Sequence, residues 1–139
     1  MAISEKRKLK KWIIIIAGIV IFVLIVLVIA HGSEDDWIRD SRGVWIKHGN
    51  PTNIPTEVAE QQELIAKAQE LYRKAKEQKQ NLVTGPCLGK ISADWVADIV
   101  HSPRQDVDGL PQNQCSDFRQ GLVSHFIELD PDGNILKVD

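Results

Sequence analysis

Few residues in this chain have the types and spacing that chemistry requires. Asp98 and His101 lie three apart, and His125 and Glu128 repeat that spacing nearer the C-terminus. Each pair can supply part of a metal site or an acid–base site, with a third ligand from Asp106 or Asp108. No HxxxH or HExxH spacing accompanies them, so the pattern favours structural or exposed histidines. The serines at 92, 102, 116 and 124 have no nucleophile-elbow context, since GLVSHF is not GxSxG. Gly85-Pro86-Cys87-Leu88-Gly89 lacks the Lys-Ser/Thr pair that completes a phosphate loop. No catalytic residue, metal ligand or cofactor is assigned. Asp98, His101 and His125 would form the polar site of the alternative, a small membrane-tethered enzyme or metal-binding domain.

The segment LDPDGNI places Asp130, Asp132 and Asn134 in the alternation that opens an EF-hand loop. The sixth position, where that loop needs glycine, is Ile135. Turn chemistry accounts for the residues instead: Asp130, Pro131 and Gly133 suit positions i, i+1 and i+3 of a type I turn. The words DPDGN also resemble the last hairpin of the glyoxalase/dioxygenase (vicinal oxygen chelate) superfamily. That resemblance implies a glutamate ligand three places after the asparagine, and Lys137 stands there. The likeness covers about twelve residues and is one of turn grammar.

Cys87 and Cys115 are the two cysteines. An even count in an oxidising compartment predicts one disulfide, and the 27 intervening residues are unlike an exchange-active CxxC.

That compartment follows from the N-terminal region. Trp12 to Ala30 is a run of nineteen residues without a charge. At about 1.5 Å per residue it nearly spans a ~30 Å hydrocarbon core, where only a helix satisfies its own backbone. Lys6, Arg7, Lys8, Lys10 and Lys11 precede it; Glu34, Asp35 and Asp36 follow. Basic flanks stay on the cytoplasmic side, which predicts a cell-membrane protein with a cytoplasmic N-terminus and its C-terminal part outside. The expected division is a basic tail at 1–11, a span at 12–30 and an extracytoplasmic α+β domain at 31–139. Cleavage after Ala30 as a signal peptide is the alternative, though the run exceeds an ordinary signal core. A pilin-like or envelope-biogenesis accessory shares the outline, but the fifth residue of the run is Ile16, where the pilin pattern has glutamate. The span contains no ionisable group for a proton or ion path, and Gly18 stands without a small-xxx-small partner.

Residues 31–139 carry 18 acidic and 12 basic side chains, an imbalance that argues against nucleic-acid partners. Trp37 to Ile46 read as a hairpin turning at Asp40-Ser41-Arg42-Gly43. A long helix follows from Pro55 or Thr56 to Gln80, capped by Asn53 or Thr56. Its apolar stripe contains Val58, Ile65, Ala68, Tyr72 and Ala75, at helical spacing. Ser92 is expected to cap a second helix over 93–101, and Pro111–Gln120 to form a third with Cys115 and Phe118 inward. A terminal hairpin joins 124–130 to 134–139, and the two hairpins can share one antiparallel sheet. The expected fold is thus a single-pass helix plus a small α+β domain with one long amphipathic helix, two short helices, two hairpins and a disulfide. The expected role is a non-catalytic interaction or assembly subunit. It would meet a membrane or envelope protein, or a second copy through a coiled coil, by Trp37, Trp45 and the helix stripe. One disulfide and no glycosylation acceptor fit a prokaryotic plasma membrane better than a eukaryotic cell surface.

Overall fold

A computed structural model describes residues 2–31 and 35–139, with side chains in the first helix from residue 10 to 28. Glu34 of the acidic flank lies outside the described residues. The first helix, α1 (Ala2–His31), runs unbroken through the apolar stretch. Its side chains from Trp12 to Val28 are exposed, and Lys10–Val28 is the one segment among the described residues long and apolar enough to cross a membrane. A helix that is apolar and exposed on every side is at home in lipid.

The folded part begins with a hairpin of β1 (Asp36–Arg39) and β2 (Trp45–His48). Gly43 takes φ +79° in its turn, and the Asp40 side chain accepts from the backbone N–H of Arg42 and Val44. The long helix α2 (Thr56–Glu77) matches the expected segment, but its capping differs. Pro55 itself is the cap residue and supplies no side-chain bond, while the Asn53 carbonyl accepts from the Trp37 indole.

A four-stranded sheet follows in the order β3-β4-β5-β6, made of β3 (Cys87–Ser92), β4 (Trp95–Ile99), β5 (His125–Leu129) and β6 (Ile135–Val138). The outer pairs are antiparallel and the central β4–β5 pair is parallel. The expected helix over 93–101 is therefore a strand, preceded by a turn at Ala93-Asp94. Ser92 ends β3 and caps nothing. A strand covered on both faces loses the polar alternation that marks a half-exposed one, and a short apolar run then reads equally well as helix. The third helix is also shorter than expected: α3 (Ser116–Arg119) is a single turn, with Phe118 40% exposed. Gly121 follows it at φ +69°, as its terminating position predicts. The terminal hairpin is present as β5–β6. The two hairpins remain in separate sheets, linked where the Val138 N–H donates to the Arg42 carbonyl at 2.7 Å.

One sheet face holds Ala97, Ile99, Ile127 and Leu129 against Ala68, Tyr72 and Ala75 of α2. The helix stripe is thus covered by the chain's own sheet over Ala68, Tyr72 and Ala75, with Ile65 packed on the same cluster, and Val58 nearer the helix start is also fully buried. Trp37 is buried and Trp45 half-buried in the N-terminal hairpin. Gln61 completes the join between α2 and that hairpin. It accepts from the Trp45 N–H at 2.8 Å and donates to the Gly43 carbonyl at 2.9 Å.

Candidate functional site

The other sheet face is covered by the connection between the two parallel strands, residues 100–124. Parallel neighbours cannot be joined by a tight turn, so the chain must cross over the sheet. Here the crossover contains two short helical turns, Asp106–Gly109 and α3. The Cys87–Cys115 disulfide ties it to β3, with Cα atoms 4.9 Å apart. Cys87 is the first residue of β3. Beneath the crossover Cys115 packs with Val96 and Val123, both buried.

This second core is incomplete. Between crossover and sheet lies a cleft of about 410 Å³, whose lining includes Asp98, Arg104, Phe118, Phe126 and Glu128. The period-2 alternation of strands explains the selection. Residues 97, 99, 127 and 129 point to α2, so 96, 98, 126 and 128 point to the cleft. The parallel register sets Asp98 directly beside Glu128. Phe118 and Phe126 meet edge to face at 5.2 Å between ring centres.

Glu128 is 9% exposed and is paired with the guanidinium of Arg104, which reaches in from the crossover. Asp98 makes no ion pair: only the Ile99 backbone N–H and the Arg104 charge favour its ionised form, and its Oδ1 is buried without a donor. Burial first, and the neighbouring Glu128 charge second, push the Asp98 carboxyl up to about 7. Asp108, deeper in the crossover, is in the opposite state. Burial opposes its charge, but the backbone N–H groups of Gln105 and His101 and the His101 ring donate to it, and together they hold it below the usual carboxylate range. Gly85 makes room for this arrangement: a Cβ there would stand 2.7 Å from Asp108 Oδ1.

The anticipated polar trio is therefore not assembled. Asp98 and His101 do not meet across a helical turn, and His101 pairs with Asp108 at 2.7 Å. His125 lies at the start of β5 opposite Trp95, on whose ring it stacks at 4.7 Å. His101 follows the far end of β4, six residues or roughly 20 Å along the strand direction. Asp98 belongs to a different group, with Glu128 and Arg104. Among the described residues no cluster of three or more His, Cys, Asp or Glu is placed to hold a metal ion. Glu128 was visible in the sequence only as a neighbour of His125; its role as partner of Asp98 depends on strand register. Arg104 carried no local signal.

Comparison of the chain with protein-family models, with curated proteins and with solved structures gave no match.

Proposed function

We propose that the protein is a membrane-anchored, extracytoplasmic binding module without catalytic activity, whose crossover cleft receives its partner. The cleft carries this reading: apolar rings and a few convergent polar groups in one concavity are what recognition sites consist of. The basic residues before the apolar span and the disulfide both support a cytoplasmic N-terminus and an exterior domain. The long helix is a weaker docking element, because its stripe is already spent on the sheet.

The test is photo-crosslinking in native membranes with a photoreactive residue at Phe118, at the cleft, or at Glu63, on the exposed side of α2. An adduct specific to position 118, protected from protease added to the cytoplasmic side, is the expected result. Adducts from position 63 alone would move the interface to the helix, and cytoplasmic exposure of the domain would overturn the orientation.

A further inference from the structure

The cleft holds more acceptor capacity than the chain fills. Asp108 is satisfied by His101 and Gln105, and Arg119 donates to the Pro111 carbonyl at 2.9 Å. Glu128 receives Arg104, whose side chain is 59% exposed. Asp98 Oδ1 receives nothing. A buried carboxyl oxygen without a donor is costly, and an incoming N–H would relieve it. Phe118 and Phe126 border the carboxyl pair, offering an apolar wall to an alkyl stem, and the Lys137 ammonium already lies 5.1 Å from the Phe126 ring centre. The acidic surplus of residues 31–139 draws cations toward the domain.

We propose that the cleft binds a primary ammonium group on an alkyl stem, taken between Asp98 and Glu128 with the stem against Phe118 and Phe126, and that Arg104 is the internal occupant this ligand displaces. The inference rests on the cleft being the binding site. An ammonium suits it better than a second guanidinium because it is compact and offers three donors, without needing a planar fork. The same chemistry is carried by a free diamine and by a lysine side chain of a protein.

The charged and titratable groups around Asp98 are Glu128 on β5, Arg104 and Arg119 on the crossover, the Asp108–His101 pair at its edge, and Lys137 on β6, which faces Glu128 across the strands and is itself paired with Asp139 at 2.8 Å. A cation placed there favours the ionised acid, so binding near neutral pH releases a proton.

The experiment is calorimetric titration of the full-length protein in detergent with cadaverine and with acetyl-Gly-Lys-Gly-amide, the norleucine peptide serving as control. Wild-type binding is expected to be at least fivefold tighter at pH 8 than at pH 6, with proton release seen as a dependence of the heat on buffer. Glu128→Gln and Asp98→Asn should each weaken binding about tenfold, and Arg104→Gln should tighten it severalfold. Near-UV circular dichroism checks the fold of each variant, and proton release by the wild type needs no variant. Binding of cadaverine alone assigns a free diamine, and binding of the peptide a lysine side chain. No binding of either cation, equal binding of the norleucine peptide, or weaker binding by Arg104→Gln would overturn the proposal. If cross-linking at Phe118 persisted in that event, the binding-module reading would stand and only the ligand class would fall.

Discussion

The two faces of the four-stranded sheet are built by the same strands and end in opposite conditions. Toward α2, Ala97, Ile99, Ile127 and Leu129 are all fully buried, and the helix fits over them with small residues at Ala68 and Ala75. Toward the crossover, alternate residues of the same two strands are Val96, Asp98, Phe126 and Glu128, under a connection with only a few helical turns. A regular helix closes over a sheet because its side chains repeat at matching intervals. An irregular connection does not close, and the gap it leaves collects polar groups that would be intolerable on the other side. The stable face carries the fold, and the imperfect one carries the candidate site.

The largest expected effect breaks the stable face. Ile127→Ala should cost about 3–4 kcal/mol by the transfer and cavity costs of a fully buried aliphatic side chain. Phe126→Ala, one residue away on the cleft side, should cost clearly less despite removing more atoms, because Phe126 already borders open space. Chemical denaturation of residues 35–139 within the full-length protein compares the two. Equal losses would erase the distinction between the faces.

Replacing both cysteines by serine should cost about 3–4 kcal/mol on the chain-entropy estimate for a 28-residue separation. The loss should be regional. Hydrogen exchange should quicken across 100–124 while α2 keeps its protection, because the bond tethers only the crossover.

Asp98→Asn should stabilise the protein at pH 8 by on the order of 2 kcal/mol, discounted from the full shift because the site is partly open to solvent. A carboxyl raised to about 7 in the folded state binds its proton more tightly there than in the unfolded chain. Its contribution is therefore intact below the ordinary carboxylate range near 4 and is lost as the pH rises through about 7. At pH 4 the substitution should change little, and thermal melts at the two pH values read the contrast. Asp108, held low, behaves inversely, favouring the fold above its unfolded value and losing that contribution in acid.

The smallest effect sharpens the comparison at the edge of the stable face. Tyr72 donates to the Pro131 carbonyl at 3.2 Å, and its ring fills the space where a Cβ on Gly133 would stand at 2.5 Å. Tyr72→Phe should cost about 1 kcal/mol in a denaturant titration, the worth of one hydrogen bond. Gly133→Ala should cost more, since it adds a collision to a backbone at φ +92°.

Several elements were legible from local residues because local physics settles them. Uninterrupted hydrophobicity over Trp12–Ala30 specifies a helix suited to lipid, whatever the rest of the chain does. Asp130-Pro131-Asp132-Gly133 closes a turn through its own side chain and its own glycine, with Asn134 N–H donating to Asp130 at 2.8 Å. The stripe of α2 repeats for 22 residues, long enough to exclude a strand.

The stretch Cys87–Val100 gave no local strand signal, its second half reading as a helix, and tertiary structure decided that it forms two strands. Burial on both faces removed the alternation that would have announced them, leaving the partner strand to choose. The site depended on that choice. Asp98 and Glu128 are 30 positions apart in sequence and become neighbours only through parallel register. Arg104 joins them from the crossover, which lies on that face and is tied to β3 by the disulfide. By itself the sequence determined an anchor, a helix and a terminal turn, each held by contacts within a few residues. The cleft arises from long-range pairing, whose energy belongs to no single segment, so only the assembled sheet could reveal it.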